Sequence, residues 1–289
     1  MKVRIITGVI SALFVIMLLV FTGLGHLGVM SVPMGILSAI AAYEVMRVTK
    51  CKNKVLTVCS MIFAAAVPLY VDFKLQQYIP VPVSVILIIY IMLMLIIMLK
   101  FYDTTKFEHV ALAIFGSIAV PGGFCTLLRV RDLCVEYPQY FQRSHCVFLI
   151  LCAMYCAWMS DTWAYFIGSK FGKHKLAPKI SPKKSVEGAI GGVFGTVLFC
   201  VVSYFICDHF FFRNDTLNVW MILFGSIFVS VLGMCGDLSA SVIKRNFGEK
   251  DFGNLFPGHG GVLDRIDSFL FTMPATYALI RIGIAIAEI

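Results

Sequence analysis

PVPVSVILIIYIMLMLIIML, residues 80–99, runs for twenty positions without one charged side chain. An α-helix needs about 20 apolar residues to cross the hydrocarbon core of a bilayer, so this stretch reads as a transmembrane helix. Outward from it the same pattern recurs at roughly 5–24, 27–43, 55–71, 110–128, 146–168, 188–207, 217–236 and 262–284. Of the 289 residues 60% are hydrophobic and only 14% charged, where an ordinary soluble domain carries about 25% charged residues. The expected fold is therefore all-α, a polytopic integral membrane helix bundle of about nine transmembrane helices forming one membrane-embedded domain over residues 1–289. The first run follows Lys2 and Arg4 but exceeds the ~7–15 apolar residues of a secretory signal, and reads as a retained helix. Pro121, Gly122 and Gly123 suggest a broken helix end, after which residues 129–145 read as the longest outer loop.

Orientation follows from where lysine and arginine fall, because cytoplasmic loops carry the excess. With nine spans and the N-terminus in the cytoplasm, eighteen of the 24 Lys and Arg residues lie inside and six outside, and the C-terminus lies outside. Cys134 and Cys146 are placed to bridge the outer loop, although free buried thiols are the expected state for a chain with no CxxC pair. Glu44, at the inner end of the second span, reads either as an interfacial residue paired with Arg47 or Lys50 or as one that reaches a polar cavity. No internal repeat supports an inverted-repeat transporter.

Two stretches break the apolar pattern. The first is CGDLSASVIKRNFGEKDFGNLFPGHGGVLDRIDS, residues 235–268. At helical spacing Asp237, Ser241 and Lys244 share a stripe, and Asp264 and Asp267, three apart in the first turn of a following helix, point the same way. Carboxylates that gather repel one another unless a cation joins them, and oxygen-only ligands suit magnesium. Lys244, Arg245, Lys250, His259 and Arg265 supply positive charge for a polyphosphate. Pro257-Gly258-His259-Gly260-Gly261 lets backbone N–H groups approach an anion. The second stretch is SDTWAYFIGSKFGKHKLAPKISPKKSVEGAIGG, residues 160–192, with six lysines between 170 and 184. A carboxylate at the centre of a spanning helix costs about 2.5–3.5 kcal/mol where a leucine returns about 0.3–0.6, so Asp161 is expected to line a polar cavity.

These residues resemble the phosphatidate cytidylyltransferases, also called CDP-diacylglycerol synthases. The resemblance rests on Ser241, Lys244-Arg245, Lys250-Asp251, Pro257-Gly258-His259-Gly260-Gly261 and Asp264-Arg265-Ile266-Asp267. It extends to Asp161-Thr162-Trp163-Ala164-Tyr165 and Ser181-Pro182-Lys183-Lys184-Ser185-Val186-Glu187-Gly188. One departure is Ala240, where the family pattern has glutamate. The resemblance covers about residues 160–270, and makes 146–289 the catalytic half and 1–145 N-terminal helices. It implies transfer of cytidylyl from CTP to phosphatidic acid, giving CDP-diacylglycerol and pyrophosphate, in a bacterial inner (plasma) membrane with the active site facing the cytoplasm. On that reading Asp237, Asp264 and Asp267 are the magnesium ligands, with room for a second cation, and Lys244 and Arg245 join them as catalytic residues. Asp161, Ser181, Lys183, Lys184, Ser185, Ser241, Lys250, His259, Gly260, Gly261 and Arg265 bind substrate. The partners are CTP, phosphatidic acid and the lipid bilayer, with no nucleic acid, and a homodimer is compatible. The alternatives are a CTP-dependent lipid-alcohol kinase, which would release CDP, and a cation transporter, for which the dense basic residues have no evident use.

The charge distribution makes a direct prediction about topology. In a background freed of native cysteines, Cys placed at Asn254 should react with a membrane-impermeant thiol reagent only from the cytoplasmic face, and Cys placed at Gln139 only from the outer face. Labelling of both from one side would refute the assignment of spans between them.

Overall fold

A computed structural model of the chain describes residues 16–17, 19–20, 29–79, 81–212, 217–256 and 260–287. Its elements are α1 (Ser31–Val48), α2 (Lys54–Asp72), a 3-10 turn (Leu75–Gln77), α3 (Val83–Lys100), α4 (Phe107–Glu136), α5 (Arg143–Phe171), β1 (Lys175–Ala177), β2 (Ser181–Ser185), α6 (Val186–Phe210), α7 (Val219–Asn246), α8 (Leu263–Ile266) and α9 (Phe269–Ala287). Among the described residues eight helices are long and apolar enough to cross a membrane, namely α1 to α7 and the stretch Leu263–Ile286. The helical membrane architecture expected from the sequence is therefore present. The candidate span at 5–24 lies, but for residues 16, 17, 19 and 20, outside the described residues. Three of the long helices, α5, α6 and α7, separate Gln139 from Asn254 along the chain.

The chain forms two compact units, one of Met1–Leu128 with Asn246–Arg265, the other of Arg129–Arg245 with Ile266–Ile289. In the first, α1 and α2 approach closely at Gly35, where a Cβ would stand 2.9 Å from the carbonyl oxygen of Ala65. Asn53 caps α2, its Oδ1 accepting the N–H of Val55 at 3.0 Å and of Leu56 at 3.2 Å while its Nδ2 donates to Thr105 at 2.8 Å. Met46, Leu56, Tyr90, Met94, Ile97, Val110 and Ala113 form the apolar centre where α1 to α4 meet. The outer face of α3 leaves Ile88, Ile89, Met92, Ile96 and Leu99 exposed, as a helix bathed in lipid requires.

Helix α4 differs from expectation: it continues through Pro121 as far as Glu136, so much of the anticipated outer loop is helical. The charges that read as a loop are paired along the helix. Arg131, 2% exposed, donates from Nε to Asp132 at 2.7 Å, and Arg129 meets Glu136 at 3.3 Å. Proline is tolerated in membrane helices because surrounding groups satisfy the carbonyl it leaves unbonded. The Cys134 and Cys146 thiols are free.

In the second unit α6 lies along α5 through a stripe of glycines. A Cβ at Gly188 would come 2.7 Å from the carbonyl oxygen of Ala164, and one at Gly192 2.7 Å from that of Ser160; Gly191 and Gly195 face Ile167 and Trp163 as closely. Small residues at such spacing let helix backbones meet in lipid, where no hydrophobic force draws helices together. Helix α7 uses the same device. Gly233 sits against the backbone of Cys156 on α5, and Gly236 sits against Phe271 and the carbonyl oxygen of Asp267. These contacts bring Asp161 on α5 and Asp237 on α7 to the same end of the unit.

Gly192→Ala is therefore expected to destabilise the protein by about 1–3 kcal/mol, since the added methyl meets backbone rather than a movable side chain. Gly122→Ala, on α4 with nothing within 4 Å of the new carbon, should be neutral or slightly stabilising. Thermal unfolding of the two variants in the same detergent checks the pair; equal midpoints would refute the close-approach account.

Candidate active site

The lysine-rich segment folds as a hairpin rather than an open loop. β1 and β2 pair antiparallel, with Lys175 opposite Ser185 and Ala177 opposite Ser181. Glu187, in the first turn of α6, fixes its base: the carboxylate accepts the N–H of Lys173 at 3.0 Å and of His174 at 3.2 Å, and meets His174 Nδ1 at 2.6 Å. Ser185 caps α6, its Oγ accepting the N–H of Gly188 at 3.1 Å. Two members of the Ser-Pro-Lys-Lys-Ser-Val-Glu-Gly motif thus hold backbone, and the strand they anchor points Lys184 inward.

Lys184 is the centre of the site. Its Nζ donates to the Asp237 carboxylate and lies 3.5 Å from Asp161. Around it opens a cleft of about 320 Å³ whose walls include Asp161, Tyr165, Ser181, Lys183, Ser185 and Asp237. Burial alone would lower the Lys184 pKa, but the charges of Asp161 and Asp237 outweigh it and raise the value above that of an ordinary lysine. With the folded value above the unfolded one, the stabilisation is complete below the unfolded pKa and is lost only as pH rises through the folded one. The ammonium therefore persists across the neutral range. Asp267 lies in the electrostatic reach of Asp237, Lys244 and Asp161, and its Oδ1 accepts the N–H of Ser268 at 2.7 Å. Asp161, Asp237 and Asp267 thus share this end of the unit with Lys183, Lys184 and Lys244. Lys244 is buried, Ser241 half-buried and Arg245 exposed on the last turns of α7. Ala240 is 8% exposed, and its methyl fits a position where a glutamate would need a partner.

The glycine-rich segment belongs to the first unit and is organised by two carboxylates. Asp264 Oδ2 accepts the N–H of Phe252 at 2.7 Å, of Gly261 at 2.9 Å and of Gly253 at 3.4 Å. Glu44 accepts the N–H of Val262 at 2.9 Å and of Leu263 at 2.8 Å. Gly260 has φ +61°, the left-handed conformation that favours glycine, and its carbonyl accepts the N–H of Phe256 at 3.0 Å. The Gly261 N–H that the sequence assigns to phosphate is held by Asp264. Lys250 and Arg265 are exposed, and His259, with Pro257 and Gly258, lies outside the described residues. Asp264 and Asp267 do not share a helical turn: α8 ends at Ile266, and a turn through Asp267 and Ser268 precedes α9.

Of the two sequence readings of Glu44 the polar one fits the structure, with the charge of Arg47 still in electrostatic reach. Glu44 is 3% exposed and bonds backbone amides, while Lys50 pairs with Glu249 at 3.5 Å. The signal for it was present, since an acid within an apolar span needs a partner in the protein. Among the described residues no three His, Cys, Asp or Glu side chains converge as a ready metal site; Asp161 and Asp237 converge on the Lys184 ammonium instead.

The site is thus a cleft of opposed lysines and aspartates in a helical protein of the membrane-spanning class. The chain belongs to the cytidylyltransferase family, which it matches over residues 2–283. It is similar to the phosphatidate cytidylyltransferase of Staphylococcus haemolyticus (strain JCSC1435), 41% identical over 152 residues that make up 52% of this chain and 56% of that protein. The phosphatidate cytidylyltransferases of Staphylococcus aureus (strain COL) and Staphylococcus epidermidis (strain ATCC 12228) are each 40% identical over 152 residues, with the same coverage. The chain thus spans about half the length of the curated relatives it matches.

Lys184→Met keeps the volume of the side chain and leaves Asp161 and Asp237 facing each other without their cation. The expected loss is about 1–3 kcal/mol, less than the ~3–5 of a fully buried pair, because Asp161 is 48% exposed. Adding Asp161→Asn should recover part of it. Thermal unfolding in metal-free detergent buffer measures both; a wild-type midpoint for Lys184→Met would refute the bridging role.

Proposed function

We propose that this protein transfers the cytidylyl group of CTP to phosphatidic acid, giving CDP-diacylglycerol and pyrophosphate. The observation that carries the reading is the cleft in which Lys184 stands between Asp161 and Asp237, in a chain of the cytidylyltransferase family. An anionic phosphate oxygen of phosphatidate attacks the α-phosphorus of CTP in line. A P–O bond forms there as the bond to the oxygen bridging to the β-phosphate breaks, and pyrophosphate leaves with that electron pair. The nucleophile is already charged, so no side chain needs to accept a proton. The protein's work is to position two polyanions that repel each other and to neutralise them.

In this reading Lys183 and Ser181, on the cleft wall, receive the lipid phosphate, while Lys244 and Arg245 face the nucleotide. The carboxylates of Asp161, Asp237 and Asp267 suit a cation. An ammonium already stands between two of these acids, and the donors are all oxygen, which fits magnesium. Asp161 and Asp237, which meet on Lys184, are the groups that would hold it, with Asp267 in electrostatic reach. Magnesium, when bound, would neutralise triphosphate charge and polarise the phosphoryl oxygens. Asp264 acts through the amides it braces. The excess of lysine and arginine on one side supports a cytoplasmic cleft in a bacterial plasma membrane.

Purified protein given labelled CTP, phosphatidate and magnesium should release pyrophosphate and CDP-diacylglycerol in equal amounts. Release of CDP with phosphorylated lipid would point instead to a lipid kinase. Asp237→Asn, which keeps shape and removes charge, should lower turnover by about 100-fold or more, in the range of losses on removing one group that stabilises developing charge. Near wild-type turnover by this variant, with a wild-type unfolding midpoint, would overturn the role of Asp237.

A further inference from the structure

In the first unit, one carboxylate on α1 is wrapped by a segment more than two hundred residues away in the chain. Glu44 is 3% exposed, and each of its oxygens accepts one backbone N–H, from Val262 at 2.9 Å and Leu263 at 2.8 Å. Gly253 and Gly261 close on the same group so tightly that a Cβ on either would overlap the Glu44 carboxylate. From the other side Asp264 takes the N–H of Phe252, Gly253 and Gly261. One turn along α1, Arg47 Nη1 reaches the Phe252 carbonyl at 3.5 Å. The backbone at Phe252, Gly253, Gly261, Val262 and Leu263 is thus fixed at five N–H groups by two acids, one of them supplied by an N-terminal helix.

We infer that Glu44 is a positioning residue for the glycine-rich loop, and that α1 is therefore part of the catalytic apparatus rather than a mere anchor. The inference rests on the proposed function together with the family resemblance, which gives Lys250 and Arg265 of this loop to substrate binding. Glu44 touches no substrate; it sets where the loop that carries those cations lies. The chemistry demands glutamate. Glutamine offers one acceptor oxygen and turns an NH₂ donor toward the second N–H. Aspartate is one methylene too short to reach either amide without moving the helix. Both glycines follow from the same fit, since the carboxylate occupies the space their side chains would fill.

The test uses the full chain in detergent or lipid nanodiscs, with Glu44→Gln, Glu44→Asp, Gly261→Ala and the Glu44→Gln/Gly261→Ala double variant. Hydrogen exchange of peptides covering residues 252–266 is read beside exchange in α5 and α6, together with KM for CTP and kcat. Loss of a buried hydrogen bond should speed loop exchange by about 10-fold in each single variant, with exchange in α5 and α6 unchanged. KM for CTP should rise by about 10-fold, more than kcat falls. The double variant should be little worse than either single one, because both disturb one contact. Wild-type exchange in the loop of Glu44→Gln or Gly261→Ala overturns the inference, as does faster exchange spread evenly over both units. Should Glu44→Gln fail to fold, Gly261→Ala alone decides by the same two readouts. A wild-type protein that makes no CDP-diacylglycerol overturns the proposed function while leaving the exchange result to judge Glu44, so the two failures are distinct.

Discussion

A carboxylate withdrawn from bulk water must find a cation or several hydrogen-bond donors, and this constraint shapes both units. In the second unit the solution is a cation. Lys184 reaches Asp237 on α7 and Asp161 on α5, and to do so the hairpin must deliver its last residues into the space between those helices. Glu187 and Ser185 anchor the hairpin, and the glycines of α6 let the helix that follows it lie against α5. Each of these features looks local, but together they determine where one ammonium group stands.

The first unit answers the same demand with amides. Glu44 and Asp264 take N–H groups from Phe252, Gly253, Gly261, Val262 and Leu263. A hydrogen bond from a neutral amide to a charged oxygen is strong in a medium of low polarity, so two acids hold five backbone amides on the two sides of this loop. The arrangement explains why the loop needs glycine where it does. It also explains why Asp264 and Asp267, three residues apart, have different neighbours: one ends in a web of amides, the other beside a turn and the charges of Asp237 and Lys244.

The helices were legible in the sequence because a bilayer imposes a length and an apolar composition that few other structures share. The family was legible because the charged motifs are long and interrupt otherwise apolar chain. Three things were not. Along the continuation of α4 past Pro121, Arg131 pairs with Asp132 and Arg129 with Glu136, and residue type alone gives no sign that those charges are neutralised along a helix. The hairpin in the lysine-rich stretch is held by Glu187, whose role appears only when residues thirteen and fourteen positions earlier fold back on it. The function of Glu44 joins positions 44 and 262, and no periodicity read along the chain connects points so far apart. Local pattern reveals elements; partners distant in sequence decide what the charged residues do.

A counter-ion built into the polypeptide needs no supply from solution. Because Lys184 already stands between Asp161 and Asp237, this unit can complete its fold during insertion without waiting for a metal or nucleotide. Small zinc domains differ, since in them the ion is part of the folding free energy and its removal unfolds the chain. Here assembly and occupancy are separate events. On the proposed function, a cell short of divalent cation or of nucleotide would still hold intact protein in its membrane.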